Sequence, residues 1–274
     1  MSNLQKRVPI IALLLSLLTP GLGQMYNGQL KRATVFYLGG LLLTILLSLS
    51  GLFSNFYGTI LCLAILVGYM ILVMLDALLN AMKLQMVTTR KYNRWYFYVL
   101  IILTQAFLIN PYTKSVIIPI KAYRMPAGSM APTLLVGDHL VVNKKYYHNE
   151  KPKRGDIIVF PLPKDTSKDY IKRVIGLPGE KLEIRNDNVF INNQLIEEPY
   201  VEITEASTPS AKKSPKADLE PIVVPPDNLF VLGDNRDHSY DSRYWGFVDI
   251  SALKGKALYI YWARDKDRIG MEIK

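Results

Sequence analysis

Pro126-Ala127-Gly128-Ser129-Met130-Ala131-Pro132-Thr133-Leu134 stands after a series of membrane-length apolar segments and before a series of short alternating ones. A serine between Gly and Met, in a run with two prolines, is a poor helix or strand interior. It reads either as a turn-forming serine or as a hydroxyl exposed beside a bilayer. Further on, Tyr170-Ile171-Lys172-Arg173-Val174-Ile175-Gly176-Leu177-Pro178-Gly179 puts a lysine in a short alternating segment that ends in a turn. Alone, Lys172 reads as an ordinary exposed strand lysine. Together with Ser129 it supplies the parts of a Ser–Lys nucleophilic dyad.

Toward the N-terminus, residues 33–51 and 57–75 carry no charged side chain. Each is about 19 residues long, enough to cross ~30 Å of hydrocarbon at ~1.5 Å per residue. Residues 95–110 form a third, shorter candidate span, opening with Trp95, Tyr96, Phe97 and Tyr98, as aromatic belts do at the membrane–water interface. The apolar run Val8 to Thr19 breaks at Pro20-Gly21-Leu22-Gly23. At about a dozen residues it is too short to span, so segment 8–26 is either re-entrant or interfacial, or a bent fourth span. A cleaved leader is disfavoured, because no small-x-small site precedes a hydrophilic start. Lys6, Arg7, Lys31 and Arg32 precede the first firm span, residues 52–56 carry no charge, and Lys83, Arg90, Lys91 and Arg94 precede the third. The positive-inside rule then puts everything after Pro111 outside the cytoplasm. Pro20 to Gln29 is similar to the turn region of small two-span membrane modules.

Toward the C-terminus the pattern changes. His139–Asn143, Asp156–Phe160, Tyr170–Ile175, Lys181–Arg185, Asn188–Ile191, Leu229–Leu232 and Ala257–Trp262 are candidate strands. Gly137-Asp138, Gly155-Asp156, Pro178-Gly179, Asn192-Asn193 and Gly233-Asp234 separate or begin them. Short strands with close turns predict a mostly antiparallel β domain. The expected organisation is therefore membrane-anchored: N-terminal transmembrane α-helices over residues 1–110, then a β-rich domain over 111–274. Residues 203–220, rich in Ser, Thr, Pro, Ala, Lys and Glu, read as a flexible surface insertion.

The net charge of +10 is not accompanied by a recognition helix, zinc spacing or aromatic–basic interleaving, so no nucleic-acid partner is expected. Membrane-adjacent Lys and Arg account for it. The single cysteine, Cys62, lies in an apolar run and has no partner for an intrachain disulfide. His139, His148 and His238 show no ligand spacing, so no metal site is expected.

Four segments in order resemble the type I signal peptidase family: Gly128 to Leu134, Gly155-Asp156-Ile157-Ile158-Val159-Phe160, Tyr170 to Glu180, and Gly233-Asp234-Asn235-Arg236-Asp237-His238-Ser239-Tyr240-Asp241-Ser242-Arg243-Tyr244-Trp245-Gly246. The resemblance covers roughly residues 95–265. It implies a serine endopeptidase with no cofactor, in which Ser129 is the nucleophile and Lys172 the general base. A lysine is a base only when neutral, so its pKa near ~10.4 must fall by about 2, a cost on the order of 3 kcal/mol, which desolvation can supply. The resemblance also implies that Ser239 hydrogen-bonds and orients the lysine amine, and that Asp241 with Arg243 and Arg173 with Asp234 form supporting ion pairs. Ser129 N–H is one implied oxyanion donor. Ala127 stands where well-studied members carry a serine whose hydroxyl is the second.

The implied substrates are signal peptides of exported preproteins, cut after small residues in Ala-x-Ala patterns. Met125, Pro126, Met130, Leu134, Tyr170 and Ile171 are expected to line one shallow apolar pocket, and Tyr123, Leu140, Val159 and Ile171 the other. The implied partners are the lipid bilayer and the secretion translocon, and the implied place is the bacterial inner membrane, multi-pass, with the catalytic domain on the outer side. Two other readings remain: an inert membrane scaffold with a peptidase-like domain, to which Ala127 gives support, and a self-cleaving repressor-type Ser–Lys protease. The second needs a DNA-binding module where the apolar spans stand.

Overall fold

The computed structural model of the chain describes residues 4–84, 86–88, 91–108, 119–163, 165–201 and 218–274. The chain divides into two compact units, Met1–Pro119 and Ile120–Lys274. The boundary expected at residue 110 lies outside the described residues, as does the proposed insertion up to residue 217.

The first unit is helical. A short strand β1 (Leu4–Lys6) leads into α1 (Pro9–Leu18) and α2 (Leu22–Tyr26); α3 (Leu30–Leu49) and α4 (Phe56–Lys83) follow, then β2 (Met86–Thr88) and α5 (Trp95–Leu108). Only α3 and α4, of 20 and 28 residues, are long and apolar enough among the described helices to cross a membrane. Helix α4 continues past the predicted end at residue 75 to Lys83, and takes in Asp76 and Asn80. Its length, about 42 Å at ~1.5 Å per residue, exceeds a ~30 Å hydrocarbon core.

The segment 8–26 is not one continuous helix. The chain turns at Gly21, whose φ is +97°, and α1 and α2 meet again at their outer ends, where Val8 N donates to Tyr26 Oη (3.2 Å). Packing explains the turn. Helix α1 lies on α4 through Ala12, Ala77 and Ala81, small residues that let helices approach closely. Gly23 fits between them, since a Cβ there would overlap Ala12 O and Ser16 Oγ. Polar side chains then fasten α2 to α4. Gln24 Nε2 donates to Val73 O (2.8 Å) and Asp76 Oδ2 (3.0 Å), and Asn27 Nδ2 donates to Ala77 O (2.8 Å). Buried amides of this kind are tolerated because each finds an acceptor.

The second unit is β-rich: β3 (Ile120–Arg124), β4 (His139–Asn143), β5 (Ile157–Leu162), β6 (Asp165–Gly176), β7 (Lys181–Arg185), β8 (Asn188–Ile191), β9 (Gln194–Leu195), β10 (Leu219–Val223), β11 (Asn228–Leu232), β12 (Val248–Asp249) and β13 (Gly255–Trp262). One sheet runs β12-β11-β6-β5-β13-β4-β3 and the other β10-β7-β8-β9, and their pairings are antiparallel. Asn186-Asp187 and Asn192-Asn193 close the hairpins between β7, β8 and β9 with positive φ at both central residues. Such turns match the twist of the strands they join, and Asn and Asp tolerate them. Residues Leu219 and Glu220, expected in the flexible insertion, instead belong to β10, which pairs with β7. The long strand β6 lies between β5 and β11. Its register, Ile158 opposite Lys172 and Leu232 opposite Arg173, seats the lysine deep in the sheet.

Candidate active site

The Ser129 loop is held at both ends before any chemistry is considered. Met125 N donates to Asp138 O (2.8 Å) and Gly137 N to Met125 O (2.9 Å), closing its base. Asp138 Oδ2 accepts from Leu135 N (2.9 Å) and from Arg268 Nη2 (2.7 Å). On the other side Asn235 clamps the serine itself: Asn235 N donates to Ser129 O (3.2 Å) and Asn235 Nδ2 to Gly128 O (3.1 Å). This approach requires Gly233, because a Cβ there would overlap Ser129 O and Ser239 Oγ. Gly233→Ala is therefore expected to displace the serine and lower kcat/KM on a preprotein by about 100-fold, the scale of a ~1 Å misplacement. A variant that folds and cleaves at the wild-type rate contradicts this account of the loop.

Lys172 Nζ lies 2.7 Å from Ser129 Oγ and donates to Ile171 O (3.1 Å). Lys172 is 3% exposed, and its amine sits 5.5 Å from the centre of the Tyr170 ring. Burial lowers its pKa to about 8, against the opposing pull of Asp241 and Asp234. Desolvation thus wins over two carboxylates, because neither touches the amine and each is already held by an arginine. Arg173 grips Asp234 with both forks (2.8 and 2.7 Å), and Arg243 grips Asp241 likewise (2.8 and 2.9 Å). Both expected ion pairs are formed, and all four side chains are at most 3% exposed. Planar two-bond pairing satisfies the charges internally.

One expected contact is not made. Ser239 Oγ is buried with no hydrogen-bond partner among the described residues, so it does not bond the lysine amine here. Ser129 Oγ and Ile171 O take the amine's contacts instead.

A cleft of about 500 Å³ opens over the pair, lined by Tyr123, Met125, Pro126, Tyr170 and Ile171 among the expected pocket residues, with Ala127, Ser129 and Lys172. Met130, Leu134, Leu140 and Val159 do not line it. They are 0% exposed and pack with Met125 and Ile171 in the core behind it. Their expected place as pocket walls is corrected: they support the residues that form the walls. The cleft also carries residues the sequence reading did not select, Arg124, Lys168, Asp169, His238 and Tyr240. Asp169 accepts from Tyr123 Oη (3.3 Å) and Lys254 Nζ (2.5 Å). Burial and the Asp169 carboxylate push the Tyr123 phenol up to about 12, which keeps it protonated as a donor. Also unforeseen were Tyr200, whose ring lies 3.8 Å under the Arg173 guanidinium, and the Glu198–Arg236 pair (2.6 Å). Among the described residues no cluster of His, Cys, Asp and Glu is arranged to hold a metal ion.

Residues 93–262 match the family described as "Signal peptidase, peptidase S26". The chain is 42% identical over 150 residues to "Signal peptidase I" of Leptolyngbya laminosa, a match covering 52% of this chain and 68% of that protein. It is 41% identical over 144 residues to "Signal peptidase I" of Bacillus caldolyticus, covering 51% and 78%. With "Probable signal peptidase I-2" of Synechocystis sp. it shares 39% identity over 148 residues, covering 52% of this chain and 63% of that protein, less than two thirds of its length.

Proposed function

Because the chain belongs to the signal peptidase family, peptidase S26, we propose that it is a membrane-anchored serine endopeptidase that removes signal peptides from exported preproteins. The observation that carries this reading is the 2.7 Å contact between a buried lysine amine and a serine hydroxyl at a cleft. Neutral Lys172 takes the proton from Ser129 Oγ as the oxygen attacks the scissile carbonyl. The developing oxyanion is received by Ser129 N–H and, in place of a side-chain donor at Ala127, by a second backbone N–H. Lys172 then gives its proton to the leaving amine, and an ester on Ser129 remains. Lys172 next takes a proton from water, the hydroxide attacks the ester, and the proton returns to Ser129 as the product acid leaves. Arg173 with Asp234 and Arg243 with Asp241 hold the segments around the pair and do not touch substrate.

The substrate lies extended along the cleft, with small residues at the last and third-last positions. Pro126, Met125 and Ile171 leave shallow room beside Ser129, and longer side chains are excluded. Helices α3 and α4 anchor the chain in the bacterial cytoplasmic membrane, α5 leads outward, α1 and α2 form a re-entrant hairpin, and the β unit faces the outer side near the translocon. A purified preprotein with an Ala-x-Ala site tests the reading. Cleavage after the final Ala is expected, identified by the new N-terminus. Changing that Ala to Leu is expected to reduce cleavage by at least about 100-fold, since a pocket that discriminates by size yields ~10–200-fold per misfit methylene. Equal cleavage of both preproteins contradicts the specificity proposed.

A further inference from the structure

Outside the cleft, the helical unit holds a charge without a counter-charge. Arg7 is 5% exposed, and its Nε and Nη2 are enclosed with no hydrogen-bond partner among the described residues. The guanidinium stacks 4.6 Å from the Tyr26 ring centre. That contact is favourable, but it does not neutralise the charge. An arginine cannot shed its proton, and a buried charge left unpaired is strongly disfavoured.

The sequence removes the internal solution. Residues 1–119 carry nine Lys and Arg but a single acidic residue, Asp76. Asp76 is already held by Gln24 (3.0 Å), Asn80 (3.0 Å) and Arg32 (3.4 Å). No carboxylate in this part of the chain is left for Arg7, so its counter-ion must come from elsewhere.

The surroundings identify the ion's chemistry. β1 pairs with β2 just beyond the end of α4, and Tyr92 Oη donates to Gly28 O (2.8 Å) just before α3 begins. Arg7, Lys83, Lys31, Arg32 and Arg94 therefore gather at one end of the helices. Such a basic end, at the limit of an apolar span, meets the headgroup layer. Lys6 and Val8 are exposed on either side of Arg7, and Arg7 itself keeps 5% of its surface open. The helix that follows presents Ile10 at 64% and Leu14 at 52% exposure, an apolar strip running away from the charge. A free phosphate would use the guanidinium alone, whereas a phospholipid uses both features. We propose that Arg7 is the seat of an anionic phospholipid, its phosphodiester held by the guanidinium fork and its acyl chains laid along Ile10 and Leu14. The inference rests on the membrane anchoring proposed above.

The test uses the full chain in neutral detergent, with phosphatidylglycerol, phosphatidylcholine or inorganic phosphate added. Native mass spectrometry counts retained lipid, and thermal unfolding reports stabilisation. The wild type is expected to retain one phosphatidylglycerol in preference to phosphatidylcholine, and to melt higher with it. Arg7→Gln is expected to bind it at least tenfold more weakly, and to melt higher than the wild type in lipid-free detergent, since the unpaired charge is gone. Arg7→Lys, which keeps the charge without the fork, is expected to bind with intermediate affinity. Lys151→Gln, the same charge change in the β unit, is expected to behave as the wild type. Retention of phosphatidylglycerol by Arg7→Gln at the wild-type level overturns the inference. So does equal binding of the two lipids, displacement of the lipid by equimolar phosphate, or a lipid-free Arg7→Gln protein that melts lower. An alkaline wash of vesicles separates the two claims. A chain that washes off ends the anchoring and this inference together; one that stays bound but ignores Arg7 ends the inference alone.

Discussion

Replacing Lys172 by Met is expected to lower kcat/KM on a preprotein by at least about 10⁴-fold, and Ser129→Ala is expected to do the same. The physical reason is that the two side chains act as one device. Without the amine, the Ser129 hydroxyl keeps its proton and is a poor nucleophile; without the hydroxyl, the amine has nothing to activate. A general base alone contributes ~10²–10⁴-fold, and residues that act together lose nearly their whole joint effect when either is removed. The double variant is therefore expected to be about as inactive as each single one. Multiplying losses would mean that the two act separately.

The same Lys172→Met change is expected to make the protein more stable. Below pH 8 the folded protein holds the ammonium at 3% exposure, while the unfolded chain holds it in water. The folded pKa of about 8 against an ordinary 10.5 corresponds to a penalty on the order of 3 kcal/mol. Because the pKa is lowered on folding, the penalty is present in full below about 8. It fades as pH rises toward 10.5, where both states are neutral. The gain of the Met variant is thus expected at pH 7 and should shrink above pH 8. Denaturant unfolding at several pH values measures it. A variant less stable than the wild type at pH 7 would mean that the amine is not held against its hydration.

The second large effect concerns stability rather than chemistry. Asp234→Ala is expected to destabilise the β unit by about 3–5 kcal/mol, because it leaves Arg173 buried and unpaired. Arg173 is 1% exposed and donates also to Gly155 O (2.9 Å) and Lys274 O (2.8 Å), with Thr133 Oγ1 at 3.3 Å. It therefore joins the Ser129 loop, β6 and the end of the chain, and cannot swing out to water without opening all three. Activity is expected to fall with stability, although Asp234 touches no reacting atom. The double change Arg173→Met with Asp234→Leu removes both charges and is expected to recover most of the loss in unfolding free energy. If Asp234→Ala alone costs under about 1 kcal/mol, the pair behaves as a surface pair does.

Reading the chain alone found the architecture where hydrophobic pattern and turn chemistry agree. His139–Asn143, Lys181–Arg185 and Asn188–Ile191 are strands with the expected bounds, each with apolar residues bracketed by turn residues. Strands β3 and β10 were not visible. β3 is half exposed with little alternation, and β10 carries Glu220 and Pro221, which suit an edge and weaken a strand signal. The sequence leaves the helical hairpin at 8–26 open, because nothing local reveals that Gln24 will find Val73 O and Asp76 on a helix far along the chain.

At the cleft, motif order identified the residues that meet: Ser129, Lys172 and both ion pairs. It could not say which of their apolar neighbours face substrate. Met130 and Leu134 follow the serine in sequence yet point into the core, while Lys168 and Asp169 reach the cleft from the part of β6 that precedes its alternating run, and Tyr240 from a loop with no periodic signal. The Glu198–Arg236 contact joins residues 38 positions apart, and spacing alone gives no warning of it.

The central claim is that a lysine amine, its pKa lowered by burial to about 8, takes the proton of the serine beside it when in its uncharged form. The pH dependence of kcat/KM for preprotein cleavage by the full chain in detergent tests this most directly, since it reports the ionisation of the free enzyme's essential base. The account predicts a tenfold rise per pH unit that levels off near pH 8, following the lowered pKa of Lys172. A profile that levels near pH 6.5, the range of a histidine, or that keeps climbing to pH 10.5 as for a solvated lysine, would contradict it.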